Sequence, residues 1–157
     1  MSSFQLLGLP ATPFAALFEL SPAQLAARGA RRVIAETNPG YPCRVSLADA
    51  EVGEELLLLP YEHQPADSPY RASGPIYVRR NAQPPALAAG EIPAAIRRRL
   101  LSVRAYDAGH LMVAAEVCEG AQVAAQIRQQ FHNPQVAYIH LHNARPGCFA
   151  CRVERAA

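Results

Sequence analysis

The sequence predicts an α+β fold: a mixed, mostly antiparallel sheet of about six strands, with short helices near the N-terminus and one helix packed on a face of the sheet. Three observations predict it. The stretches 101–106, 111–117, 136–142 and 148–153 alternate along the chain with the two-residue period of strands. Between them Val123, Ile127 and Phe131 repeat at helical spacing. Leu56 to Leu59 are consecutive leucines between turn-forming clusters, as in a central strand buried on both faces.

Thr12-Pro13 opens a first short helix, with Thr12 as N-cap and Pro13 at the first helical position, turning Phe14, Leu17 and Phe18 inward. Ser21-Pro22-Ala23-Gln24 opens a second. Ser21 can accept from the Gln24 amide while the Gln24 side chain reaches back, a capping box. Gly29 suits the left-handed position after Arg28, where that helix ends. Arg31 to Thr37 reads as a strand ended by Asn38-Pro39-Gly40. From Cys43 to Leu47 the alternation predicts a strand with Cys43, Val45 and Leu47 on the core face and Arg44 and Ser46 on the other. Beyond the leucine strand Tyr61 and His63 stay in phase with Leu57 and Leu59. A Pro- and Ser-rich loop runs from Gln64 to Gly74, and Pro75 starts another strand, where a missing amide is tolerated.

Asn81 to Gly90 reads as a linker too short to separate domains, so residues 1–157 are expected to form one domain. Pro93 starts a helix through Arg97, Arg98 and Arg99, whose charges suit a solvated face. Leu101 to Tyr106 and Leu111 to Val117 make a hairpin around Asp107-Ala108-Gly109, with Gly109 available for positive φ. Gly120 leads into the striped helix, which Asn133-Pro134 stops, and a second hairpin runs from Val136 to Val153.

Composition bounds the function. The chain has 157 residues, half of them apolar, enough for a real core. A net charge of +2 does not by itself imply nucleic-acid or membrane binding. All fifteen basic residues are arginine, planar forks suited to carboxylate or phosphate. No stretch approaches the ~18 apolar residues that span a bilayer. The N-terminus lacks a basic leader and is interrupted by Pro10 and Pro13, so a signal peptide is not expected. Four cysteines without an export signal suit reduced thiols in a cytoplasmic protein.

The unusual residues concentrate between Pro39 and Arg80. The motifs Pro39-Gly-Tyr-Pro-Cys-Arg-Val-Ser-Leu47, Gly53-Glu54 and Ser68-Pro-Tyr-Arg-Ala-Ser-Gly-Pro75 resemble those of a family of small bacterial proteins, the domain of unknown function 1203 family. The resemblance continues through Arg104-Ala-Tyr-Asp107, Tyr138-Ile-His-Leu-His-Asn-Ala144 and Gly147-Cys148. It implies no activity, cofactor or catalytic residue, so the chemistry rests on residue types and spacing.

Arg44, His63, Tyr70, Arg71 and Ser73 are the candidate ligand-binding residues. They can surround a small anion, with bidentate Arg contacts and a turn of backbone amides at Arg71-Ala-Ser-Gly74. The last expectation is that Arg44 and Arg71 share one cleft with His63 nearby. The competing reading pairs the arginines with Glu54, Glu55 or Glu62 and makes the cluster a brace for the loop, as in a structural or interaction protein. A further alternative is an enzyme with His63 or His140 as general base and Arg44 or Arg71 holding an anionic substrate. No catalytic signature identifies such an enzyme. Cys43 shares its face with Val45 and Leu47 and reads as a core thiol.

Zinc at His140, His142, Cys148 and Cys151 is a weaker alternative that hairpin register decides. With His142 opposite Cys148, Cys148 lies beside the histidines. With Asn143 opposite Cys148, Cys151 lies opposite His140 instead. A regular hairpin thus offers three ligands, and a fourth needs a bulge. No metal or other cofactor is favoured.

Overall fold

Alternation along the last third of the chain builds the larger of two sheets. In the computed structural model, which describes residues 3–157, strands β5 (Leu100–Tyr106), β6 (Met112–Glu119), β7 (Tyr138–Asn143) and β8 (Phe149–Arg155) are joined by β1 (Phe4–Leu7). The strand order is β1-β8-β7-β5-β6, antiparallel throughout. Leu101, Val103, Ala105, Ile139, Leu141, Cys151 and Val153 form its core face, packed against Val123, Ile127 and Phe131 of helix α4 (Val123–Phe131). The helical stripe read from the sequence is thus the lid of the main core.

The leucine run organises the second sheet. Strand β3 (Glu55–Gln64) lies between β2 (Arg31–Ile34) and β4 (Ala72–Arg79), again antiparallel. Leu57, Leu59, Ile76 and Val78 bury against Phe14, Phe18 and Leu25 from helix α1 (Thr12–Ala15), the turn that follows it and helix α2 (Pro22–Ala27). The fold is therefore α+β, with eight strands divided between two antiparallel sheets where about six in one sheet were expected. The Ser21–Gln24 capping box is present in both directions, and Gly29 takes φ +71° just past Arg28.

Local expectations fail where tertiary contacts decide. Residues Cys43 to Leu47 form a tight turn, not a strand. The Leu47 amide donates to the Cys43 carbonyl, the Cys43 amide to that of Ala48, and Leu47 sits at φ 54°. A turn does not alternate, so Arg44 goes inside with Cys43, Val45 and Leu47. Thr12 is the first residue of α1, not its side-chain cap. Helix α3 (Ala94–Arg97) ends before Arg98 and Arg99; Arg97 and Arg98 are exposed as expected, while Arg99 is half-buried, and both Arg98 and Arg99 pair with the Asp49 carboxylate.

In the β5–β6 hairpin the left-handed residue is His110, at φ 64°, and not Gly109. Asp107 Oδ1 accepts from the amides of Gly109 and Leu111 and holds the turn in that form. On β6 the alternation is real but inverted. Leu111, Val113 and Val117 are exposed, while Ala114 and Cys118 pack on the core. Pairing of Ala115 with Arg104, and of Val117 with Ser102, places the valine side on the polar face of the sheet.

Candidate functional site

The first sheet's non-core face carries Arg104 and Tyr106 from β5, Tyr138, His140 and His142 from β7, and Phe149 and Arg152 from β8. The far end of β3, after a register shift between Tyr61 and Gln64, crosses this face. His63 stacks on Phe149 with centroids 5.2 Å apart and planes 13° apart, and meets His142 edge-on at 5.1 Å. Gln64 donates to Tyr138 Oη, which also meets His110 Nδ1 at 2.7 Å. Burial, helped by His142, Arg152, His63 and Arg104, holds the His140 pKa down at about 3. Burial holds His142 at about 4, against the opposing pull of its hydrogen bond to the Gly147 carbonyl. Burial also lowers His63, with Arg104 adding to it. This is a layer of neutral histidines locked among aromatic rings.

A cleft opens at the junction of the two sheets, with a volume of about 620 Å³. Its walls are Leu58, Pro75 and Tyr77 of the second sheet, Arg98 and Arg99 after α3, and the β7–β8 turn with Asn143, Arg145 and Cys148. Arg44 lies at its base, only 2 % exposed. The turn places it there: the Arg44 amide donates to the Tyr77 carbonyl, and its carbonyl accepts from Leu9. The guanidinium donates through Nε to the Phe149 carbonyl at 2.7 Å, through Nη1 to that of Pro42, and through Nη2 to Cys148 Sγ at 2.9 Å. Burial lowers its pKa while the Cys148 sulfur pulls the other way. It stays cationic, since arginine does not deprotonate in proteins.

No carboxylate pairs with Arg44 among the described residues. Asp49, the nearest candidate by position, is already held by Arg99 at 2.6 Å and Arg98 at 3.1 Å. Four guanidinium groups therefore face one cleft, against Glu119 on its wall and the Asp49 carboxylate behind it, a surplus of positive charge. Of the four only Arg44 is desolvated without a counter-charge; that is costly, and a bound anion would relieve the cost.

The residues expected to share a site are separated. Arg44 sits in the cleft. His63 lies on the other side of Phe149, whose carbonyl holds Arg44 and whose ring holds His63. Arg71 is exposed and pairs with Glu62 at 3.1 Å, so the bracing alternative describes Arg71, and Arg71 does not line the cleft that holds Arg44. The reason is phase: Glu62 and His63 point to opposite sides of β3, and Arg71 follows Glu62. Tyr70 is 39 % exposed and rests edge-on against Tyr106, and Ser73 is exposed on β4. His63 and His140 line no wall of the cleft, which separates the proposed general bases from the arginine meant to hold a substrate.

The zinc set does not assemble. Asn143 does face Cys148, but the extra residue Ala150 shifts the register, so that Arg152 faces His140 and Cys151 faces Leu141 in the core. Burial pushes the Cys151 thiol up to about 12. Among the described residues no group of three or more His, Cys, Asp or Glu could hold a metal ion. Arg98, Arg99, Asn143 and Arg145 escaped the sequence reading as site residues. The one local signal was Asn143-Ala-Arg-Pro-Gly147, a turn sequence that had to present whatever its tip carried.

Fold and cleft together define a small α+β protein with an arginine-rich cleft where two antiparallel sheets meet. The chain belongs to the family described as protein of unknown function (DUF1203), whose model matches residues 40–155 and so contains every residue lining the cleft. Comparison with curated proteins and with solved structures finds no match.

Proposed function

We propose that the protein binds a small anionic molecule in this cleft, with Arg44 as the anchor and Arg145, Arg98 and Arg99 at the rim. The single observation that supports this reading best is the buried Arg44 guanidinium, which touches the cleft and has no carboxylate partner. Its three contacts use three of five N–H groups, leaving donors for an oxyanion. The volume suits a metabolite-sized ligand. A cytoplasmic setting fits four cysteines that are all unpaired. Among the described residues no helix is long and apolar enough to cross a membrane.

The test is thermal unfolding with phosphate, sulfate and small dicarboxylates at constant ionic strength. An anion at a hundredfold excess over its Kd adds about 2.7 kcal/mol. For a chain of this size that raises Tm by about 5–11 °C. Arg145→Ala should diminish the shift and Arg71→Ala should leave it intact. No shift with any anion, or an equal shift in Arg145→Ala, would overturn the reading.

A further inference from the structure

Cys148 is the one cysteine that lines the cleft. Arg44 Nη2 donates to its sulfur at 2.9 Å, and Asn143 Nδ2 lies 3.8 Å away. Beside it Asn143, only 5 % exposed, has an amide oxygen with no hydrogen-bond partner in the protein. A half-buried thiol thus stands next to an uncompensated cation and an unspent acceptor. The other sulfurs are placed differently. Cys43 and Cys151 are sealed in the cores, at 1 % exposure each. Cys118 lies between Glu116 and Glu119, and burial and then those carboxylates push its pKa up. All four are free, and none of the other three lines the cleft beside Cys148.

We infer that Cys148 is a thiol–disulfide exchange site for a low-molecular-weight disulfide bearing carboxylates, which the cleft arginines hold. The inference rests on the reading of the cleft as an anion site and names the chemistry that site would carry. In the step, the Cys148 thiolate attacks one sulfur of the bound disulfide. The ligand's S–S bond breaks and a Cys148–S–S–R bond forms. The proton that the Cys148 thiol gives up to water on ionising is balanced by the one the released RS⁻ takes from it. Cys148 is oxidised and the departing half is reduced, so the disulfide itself is the oxidant. The arginines contribute recognition: Arg145, Arg98 and Arg99 attract carboxylates, and Arg44 holds the attacking sulfur in place.

The experiment compares glutathione disulfide, which is anionic, with cystamine, which is cationic, on the native protein. Adducts are counted by intact mass and located by peptide mapping. Each rate is divided by that of the same cysteine in the urea-unfolded chain, which removes the reagents' intrinsic difference. At Cys148 the normalised rate for glutathione disulfide should exceed that for cystamine by about tenfold or more, the lower end of what a charged cleft adds to encounter. The ratio should fall toward unity in Arg145→Ala and in high salt. Cys118, between its glutamates, should show the reverse preference. Equal normalised rates at Cys148, a preference for cystamine, or a Cys148 that reacts only when unfolded would overturn the inference. If phosphate stabilises the protein while Cys148 stays inert, the exchange chemistry fails and the anion site stands. If phosphate has no effect and Cys148 shows no charge preference, both fail.

Discussion

Mild acid should unfold this protein through its histidine layer. His140 and His142 are both only 2 % exposed, and burial holds their pKa values at about 3 and about 4. In the unfolded chain each returns to about 6.5. Above about pH 7 both are neutral in either state and contribute no pH dependence. Below about 6.5 the unfolded state takes up protons that the native state refuses, so stability falls as pH falls. At about pH 5 the difference is roughly one and a half pH units, about 2 kcal/mol for each histidine, or about 4 kcal/mol for the pair. His63 shifts in the same direction and adds to the loss. Against a total stability of about 5–15 kcal/mol, that is a large part of the whole. Urea unfolding at about pH 7.5 and about pH 5 measures it directly. His140→Phe, set among Tyr106, Tyr138 and Phe149, removes one titrating ring and should cut the acid loss by about 2 kcal/mol. Stability that is flat between the two pH values, or an undiminished loss in the variant, would refute the argument.

Three further perturbations separate core, surface and cleft. Ile127→Ala, at a fully buried position between α4 and the main sheet, should cost about 2–5 kcal/mol by chemical denaturation. Arg71→Ala breaks a pair whose side chains are 56 % and 42 % exposed, and should change stability by no more than about 1 kcal/mol in the same assay. Arg44→Met should change stability by less than about 2 kcal/mol while abolishing the anion-induced rise in Tm, with both read from one thermal series.

Much of the fold was legible because its signals are local. The Ser21–Gln24 box, Gly29 at the end of α2, the stripe of α4 and the central leucine strand each depend on residues close in sequence. Strand β1 was missed because Phe4-Gln-Leu-Leu7 is short and is a strand only through pairing with Leu6↔Val153 and its neighbours at the other end of the chain. Cys43 to Leu47 was misread because apolar side chains at alternate positions can also be buried by a turn wrapped in neighbours. On β6 the period was right and the face wrong, since period alone does not say which side is covered. Arg44 stood out from the sequence. Its partners did not, because Asp49 draws Arg98 and Arg99 into the cleft wall and the β7–β8 turn delivers Cys148 and Arg145, both long-range events.

The position of Arg44 is where stability and the proposed function oppose each other. Burying one cation without a carboxylate costs several kcal/mol after relaxation. Its hydrogen bonds to the Phe149 and Pro42 carbonyls offset part of that, since leaving a buried carbonyl unpaired costs about 1–3 kcal/mol each. A methionine of similar length would remove the charge and also the hydrogen bonds to the two carbonyls, two effects of opposite sign. That opposition is why the expected change in stability is small. If Arg44 only braced the turn, Arg44→Met would leave the response to anions unchanged. A replacement that is nearly neutral for folding but abolishes the anion response would support the proposed role of Arg44 in the cleft. The surplus charge around it, with Asp49 already committed to two other guanidinium groups, points the same way.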